Sequence, residues 1–189
     1  MVTAIKSMTL DEFLAMPETE PASEFICGEV VQKPMPNPDH GSIAFEIAGL
    51  LRDYLRANPA GRGYIETRHT QRPERRAYLP DVSFVLAEHL PGGERLHRGP
   101  FELVPDIAIE ILSPDDRAAR IAEKLTFYMR NNTPLVWVID PIERTLDAHR
   151  PGLPSTHHTP GDIITAEPVL PDFRLDVGAL FAVLGSAEE

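Results

Sequence analysis

Hydrophobic positions that recur every three or four residues predict four helices. A capping-box spacing from Thr9 to Glu12 begins a short helix that ends before Pro17. The longest pattern follows a proline-rich stretch, ends near 58–61, and carries one apolar stripe: Ile43, Ile47, Leu50, Leu51 and Tyr54. A third helix is predicted at about 116–130, with these residues facing the core: Ala118, Ile121, Ala122, Leu125 and Met129. A last helix follows an N-cap at Asp176.

Shorter apolar runs bounded by glycine, proline and asparagine predict strands between these helices. Residues 24–31 read as two strands around a turn at Gly28, and two more strands are expected at about 63–71 and 78–87. A strand ending at Leu112, the third helix and the apolar run 135–139 then follow in order, and 143–149 returns as an edge strand. Strand, helix and buried strand with short connections form a βαβ unit, so the sheet is locally parallel. We therefore predict an α/β fold.

Composition narrows the class of protein. With 189 residues, 42% of them hydrophobic and 25% charged, the chain is expected to form a single domain. No apolar run approaches the roughly 18 residues of a membrane helix, and the N-terminus lacks the apolar core of a signal peptide. The single cysteine, Cys27, excludes an intramolecular disulfide framework and a thiolate zinc cluster. We expect a cytoplasmic protein without a membrane partner, with a mobile flap at 91–100 and a frayed end at 185–189.

Two acidic residues interrupt consecutive strand-like segments. Asp81 begins one apolar run and Glu110 lies inside the next, where an ionised carboxylate costs several kcal/mol unless it is paired, bound to a metal or open to a cleft. Side chains alternate between the faces of a strand, so two neighbouring strands in register would bring these carboxylates to within ~5 Å. Such a pair repels itself unless a cation or a shared proton intervenes, and Mg2+ prefers carboxylate oxygens. The pattern predicts a site for a divalent cation.

Charged residues elsewhere allow more than one interpretation. Lys124 lies beside the apolar stripe of the third helix, where it would either neutralise phosphate charge and orient a water or extend along the rim of the core. Glu46 flanks the stripe of the long helix as either a further ligand or a solvated acid, and His40 would cap that helix, contact a phosphate or do neither. The net charge of -11 counts against a broad nucleic-acid surface. The one basic segment, 68–76, is either a solvated hairpin tip or a phosphate-contacting loop.

In order and spacing, these residues resemble the PD-(D/E)XK phosphodiesterase superfamily and, more narrowly, the Uma-two family of restriction-endonuclease-like proteins. The resemblance spans roughly residues 8–184. It rests on the following positions: Glu29 after Gly28, His40, Pro80-Asp81-Val82, Pro105-Asp106, the run from Glu110 to Pro114, Lys124 with Tyr128, Trp137, Asp140-Pro141, the run from Leu170 to Leu175, and Leu180-Phe181.

The resemblance implies a restriction-endonuclease-like core at about 38–150, a mixed β-sheet flanked by helices, with an N-terminal hairpin extension. It also implies bound Mg2+ or Mn2+, with Asp81, Glu110 and the Ile111 carbonyl as ligands and Glu46 as an auxiliary ligand. The superfamily places its catalytic lysine two residues after the second acid, where this chain has Leu112. The Uma-two pattern resembles one in which a helix supplies that lysine, which points to Lys124.

The function implied by the resemblance is that of a metal-dependent endonuclease acting on DNA. Nucleic-acid contacts are expected from this group: His40, Arg72, Arg75, Arg76 and Tyr128. A homodimer is compatible with the pattern, since nucleases that cut both strands often pair. Two alternatives stay open, a catalytically weak or inactive binding or assembly module on a nuclease fold and a hydrolase of a small phosphorylated substrate. The net charge and the missing lysine at Leu112 favour the module, whereas the presence of Asp81, Glu110 and Lys124 together favours the endonuclease.

Overall fold

The computed structural model of the chain describes residues 8–92 and 100–185. Most of the loop predicted at 91–100, and most of the end predicted at 185–189, lie outside the described residues. Within these ranges, no helix combines the length and the apolar character needed to span a membrane.

The bounds of the helices are α1 Leu10–Leu14, α2 Pro38–Ala57, α3 Ala118–Arg130 and α4 Val177–Ala182. Local side-chain caps fix the starts of α1, α2 and α4, whereas α3 begins without a side-chain cap. Thr9 and Glu12 form the predicted capping box of α1, and the Asp176 side chain accepts from the Ala179 N–H at the start of α4. Asn37 caps α2 by accepting from the His40 N–H at 2.8 Å, which fixes His40 in the first turn.

Six strands form the main sheet, in the order β10-β9-β8-β7-β6-β3. Their bounds are β3 Gly61–Ile65, β6 Val82–Leu86, β7 Ile107–Ile111, β8 Leu135–Asp140, β9 Thr145–His149 and β10 Thr156–His158. β7 and β8 are parallel and joined through α3, and the other neighbours are antiparallel. The fold is therefore the predicted α/β arrangement, a mixed sheet flanked by helices.

A second, four-stranded sheet has the order β2-β1-β5-β4. It contains the predicted N-terminal hairpin, and its bounds are β1 Ser23–Ile26, β2 Glu29–Gln32, β4 His69–Gln71 and β5 Arg76–Tyr78. The hairpin turn has positive φ at Cys27 (50°) and Gly28 (101°), which explains the glycine there. Because β1 pairs with β5, this hairpin joins the core sheets and is not a detached extension. A separate ribbon pairs β11 Ile163–Ala166 with β12 Leu170–Asp176.

The two long strands predicted at 63–71 and 78–87 are each divided in two, which corrects the prediction. β3 and β6 pair in the main sheet, whereas β4 and β5 pair in the four-stranded sheet. The first strand breaks at Glu66, where φ is 44°, and the second breaks across Leu79 and Pro80. The two breaks, at which the chain passes from one sheet to the other, lie side by side, since the Glu66 N–H donates to the Asp81 carbonyl at 3.1 Å. Asp81 therefore lies at the junction of the two sheets, immediately before β6.

The side of α3 that faces the core also differs from the prediction. The predicted apolar stripe is only partly buried, with Ala118 and Ala122 exposed, whereas Lys124, Phe127 and Tyr128 form the buried face. The apolar positions do not decide the helix orientation here because Lys124 and Tyr128 have acidic partners inside the protein. The main core lies on the opposite face of the six-stranded sheet, beneath α2 and α4.

Candidate active site

Buried charged side chains from both sheets and from α3 meet where the sheets join. We call this group, Glu24, Lys33, Asp81, Glu110 and Lys124, the junction cluster. Glu24 comes from β1, Lys33 follows β2, Asp81 precedes β6, Glu110 lies in β7 and Lys124 in α3. The three acids and Lys124 are almost fully buried. Each is therefore expected to have a partner of opposite charge or a ligand.

Asp81 and Glu110 are brought together by strand register, as predicted. β6 pairs with β7 so that Val82 lies opposite Ile109, and one further step in this register sets Asp81 opposite Glu110. The Asp81 Oδ2 atom accepts from the Ile111 N–H at 2.7 Å, which fixes the carboxylate beside the end of β7. A buried carboxylate held by a backbone donor keeps one orientation, which a ligand position requires.

The Asp81 carboxylate also contacts two basic side chains, Lys33 and His40. The Lys33 Nζ atom donates to Asp81 Oδ1 at 2.6 Å and to the Leu79 carbonyl at 2.8 Å. The His40 Nε2 atom lies 3.3 Å from Asp81 Oδ2. A cleft of about 90 Å³ opens over Lys33, His40 and Asp81, and a smaller cavity of about 20 Å³ joins the same residues to Glu110. Asp81 is thus the carboxylate of the cluster nearest to an opening.

Glu110 is held from the helix side. Its Oε2 atom accepts from Lys124 Nζ at 2.5 Å, and its Oε1 atom accepts from the Tyr128 hydroxyl at 2.8 Å. Lys124 and Tyr128 are one helical turn apart, so both reach the same strand residue. Tyr128 is fully buried, so it supports Glu110 and presents no surface on which a nucleic acid could stack.

Glu24 is a member of the cluster that the sequence interpretation missed. It accepts from the Leu79 N–H at 2.9 Å and from Arg120 at 2.6 Å, and it lies 3.0 Å from Lys124 Nζ. The signal that identified Asp81 and Glu110, an acid within a strand-like run, is also present in Ser23–Ile26. Because the sequence interpretation assigned that run only to a hairpin, it did not include Glu24 among the candidate site residues.

Lys33 was also missed, and composition carries a signal for it. The chain has 18 basic residues but only three lysines, of which Lys6 lies outside the described residues. The other two, Lys33 and Lys124, are both in the junction cluster. In a chain that otherwise uses arginine, positions that retain lysine suggest a need for a compact ammonium group.

Burial and the opposing charges shift the pKa values of the cluster in different directions. Burial acts to raise the pKa of Asp81, but Lys33 and the hydrogen bond from His40 outweigh it, so this pKa lies well below its ordinary value. Burial, reinforced by Asp81 and Glu24, raises the pKa of Glu110 to about 7 despite the opposing effect of Lys124. Burial acts to lower the pKa of Lys124, but Glu110 and Glu24 raise it above its ordinary value, so this ammonium stays charged.

The fold family implies a divalent metal ion at this site, and the donor atoms present supply part of the ligand set for such an ion. Asp81, Glu110 and the Ile111 carbonyl supply only oxygen atoms, the ligands that Mg2+ and Mn2+ accept. Among residues 8–92 and 100–185, no group of three or more His, Cys, Asp or Glu side chains could hold a metal ion. Mg2+ commonly binds through one or two carboxylates and completes its shell with water and substrate phosphate. The residues therefore fit a two-carboxylate site of that kind.

The remaining predicted site residues lie outside the cluster. Glu46 is partly exposed on α2, and no hydrogen bond or ion pair joins it to Asp81 or Glu110 in the described structure. Arg72 is paired with Asp11 and Glu102.

The other two arginines of the basic segment also have contacts within the protein. Arg75 donates to the Met8 carbonyl, and Arg76 is paired with Glu74 and with Glu123 on α3. The segment thus contacts the protein's own acids and backbone, in agreement with the alternative that it is a hairpin tip.

Comparison with known proteins agrees with the fold. The family model Uma2, described as "Putative restriction endonuclease", matches residues 10–178. This chain belongs to the Uma2 family. A solved structure, a putative nuclease belonging to DUF820 from Anabaena variabilis, is 32% identical and superposes with a TM-score of 0.85. The match covers 94% of this chain and 99% of that one. No protein of curated function matches the chain. Family membership and the structural match support a nuclease, the reaction class that the resemblance implied.

Proposed function

We propose that this Uma2 protein is a metal-dependent endonuclease that hydrolyses phosphodiester bonds in DNA. The observation that carries the proposal is the position of Asp81 against β7: the register of β6 and β7, extended by one residue, aligns Asp81 with Glu110, and the Asp81 carboxylate accepts from the Ile111 N–H. Family membership supports the reaction class, and the oxygen-only donor set supports the type of metal.

Asp81, Glu110 and the Ile111 carbonyl would hold the ion, which when bound polarises the phosphodiester and lowers the pKa of a water molecule. Lys124 lies at 2.5 Å from Glu110 and is buried, which supports a positioning role for it. Lys33 lines the cleft over Asp81 and is the ammonium better located to orient a water or to contact a substrate phosphate.

The test is cleavage of plasmid and oligonucleotide DNA with Mg2+ or Mn2+ by the wild type, Asp81→Asn and Glu110→Gln. We expect both variants to lose cleavage and EDTA to abolish it in the wild type. Asp106→Asn is a matched control, because Asp106 is a buried acid at the opposite end of β7, where its carboxylate accepts from the Leu86 N–H. Retained cleavage by folded Asp81→Asn would reject the assignment.

A specific observation favours a second candidate, a nuclease-fold binding or assembly module without catalysis. The ammonium groups of Lys33 and Lys124 already neutralise Asp81 and Glu110. Calorimetric titration of Mn2+ separates the two candidates. Saturable binding that is lost in Glu110→Gln supports the endonuclease, whereas no binding with or without DNA supports the module.

A further inference from the structure

A groove runs between α2 and the edge strand β3, with a volume of about 460 Å³. We call it the α2–β3 groove. Leu51 and Leu55 form its helix side, and Gly63, Ile65 and Val82 form its floor. β3 is the last strand of the six-stranded sheet, and the missing side chain at Gly63 leaves the floor open. Exposed apolar surface of this kind on a folded protein marks a binding site more often than chance.

Three arginines line the rim of this apolar groove. Arg52 and Arg56 come from α2, and Arg62 comes from β3 on the other side. All three are exposed, in a chain whose formal net charge is -11. Arg52 and Arg56 contact only Asp53 among the ion pairs of the described chain, and a pair this exposed contributes little. Arg62 lies beside the Tyr64 hydroxyl, a neutral group that does not compensate its charge. The positive charges of the three guanidinium groups are therefore available to an anionic ligand, unlike those of the basic segment 68–76.

The groove leads to the junction cluster. Ile65 and Val82 are cross-strand partners at the end of β3, and the residues next to them, Glu66 and Asp81, line the cleft over Lys33. Along α2 the path passes Phe45, whose side chain is 76% exposed and which lies one turn before the groove residue Ala48. From Phe45 to Arg56 the helix rises about 16 Å, a length that a short run of nucleotides occupies.

We propose that the α2–β3 groove binds a single strand of nucleic acid, with bases on its apolar floor and phosphates along the arginine rim, and directs that strand to Asp81. The inference rests on the proposed function and adds to it the form of the substrate. An apolar floor beside a cationic rim suits a single strand, because unpaired bases bury their faces while arginines follow the backbone. A duplex keeps its bases stacked inside and would leave the floor unused.

A second copy of the chain is the competing occupant, since β3 is an edge strand with unpaired backbone groups. In a two-fold dimer the same surface would face itself, so Arg52, Arg56 and Arg62 of both copies would meet. Like charges brought together across an interface oppose association, whereas phosphates neutralise them. Charge complementarity thus favours the nucleic acid.

The test is fluorescence anisotropy with labelled single-stranded and duplex DNA of one sequence, in EDTA, over a range of salt concentrations. The groove variant is Arg56→Gln with Arg62→Gln, and its matched control is Arg130→Gln with Arg174→Gln, which removes the same charge from exposed positions elsewhere. We expect the groove variant alone to weaken single-strand binding and to reduce the salt slope by roughly 0.7 for each lost phosphate contact.

A charge-neutral variant tests the floor. At Gly63 an added Cβ would meet its nearest atom, the Ser83 carbonyl, at 3.9 Å, so Gly63→Leu can place its side chain in the groove. This variant should weaken single-strand binding without changing the salt slope, with folding checked by circular dichroism.

Several results would overturn the inference. Binding by the groove variant equal to wild type, tighter binding of the duplex, or no effect of a folded Gly63→Leu would each reject it. A change of oligomeric state in the groove variant, without a change in DNA binding, would assign the groove to a second copy. Each of these results leaves the cleavage test of Asp81→Asn untouched. Groove binding without cleavage, conversely, would reject the proposed function alone.

Discussion

The Lys33 ammonium group is hydrogen-bonded to the Asp81 oxygen atom that a metal ion would need as a ligand. Removal of Lys33 should therefore strengthen metal binding. The Lys33 Nζ atom lies 2.6 Å from Asp81 Oδ1 and is mostly shielded from water. A hydrogen bond between charged groups contributes about 1.5–3 kcal/mol, which a metal ligating this oxygen must displace. Lys33→Met should therefore lower the Kd for Mn2+ by roughly 10- to 150-fold.

Loss of any nearby positive charge also strengthens the binding of a metal cation. The control variant must therefore remove a positive charge without freeing a ligand oxygen. Arg120→Gln does this, because Arg120 contacts Glu24 and neither Asp81 nor Glu110. The difference between Lys33→Met and Arg120→Gln then isolates the released Asp81 oxygen.

The assay is calorimetric titration of Mn2+ into the three proteins, with thermal unfolding in EDTA and in Mn2+ as a second readout. In EDTA, Lys33→Met should be less stable than wild type, since Asp81 retains only His40 and the Ile111 N–H as close partners in the described structure. Mn2+ should restore more stability to this variant, because stabilisation grows with the ratio of ligand concentration to Kd. Mn2+ binding by Lys33→Met no tighter than by Arg120→Gln would refute the reasoning.

Three further predictions concern stability. Glu24→Ala should cost about 3–5 kcal/mol in urea unfolding, because it leaves the buried Lys124 with one acidic partner fewer; a loss below 1 kcal/mol would contradict this. Burial lowers the pKa of His69 to about 4. Between pH 6.5 and 4 the unfolded chain binds this proton and the native state does not, so stability should fall by roughly 3 kcal/mol, and His69→Gln should flatten the pH profile. Gly61→Ala should destabilise by at least about 1–3 kcal/mol, since its Cβ would lie 2.2 Å from a backbone carbonyl of β6, whereas Gly63→Ala, with 3.9 Å of space, should not.

Local signals explain what could be predicted from the sequence. The caps at Thr9 and Asp176 act within three residues, and both helices begin there. The antiparallel register that aligns Asp81 with Glu110 follows from which face of each strand is apolar, because a shift of one residue would turn Glu110 into the main core.

Long-range contacts explain what could not be predicted. Glu24 and Lys124 are separated by 100 positions, and tertiary contacts such as the pairing of β1 with β5 bring them together. The first of the two divided strands breaks at Glu66, where a residue other than glycine adopts φ of 44°, and the second breaks across Leu79 and Pro80. The hydrophobic pattern of the sequence predicts neither feature.

The orientation of α3 gives a physical reason to regard the junction cluster as functional. Its apolar stripe is left partly exposed while Lys124 and Tyr128 are buried against Glu110. Buried ion pairs are often replaced by apolar side chains of similar volume without loss of stability, and sometimes with a gain. Folding alone therefore does not require this helix to turn its lysine inward. We therefore propose that this helix, which buries charge and leaves its aliphatic side chains partly exposed, keeps Glu110 in a fixed orientation beside Asp81 for a reaction or a ligand.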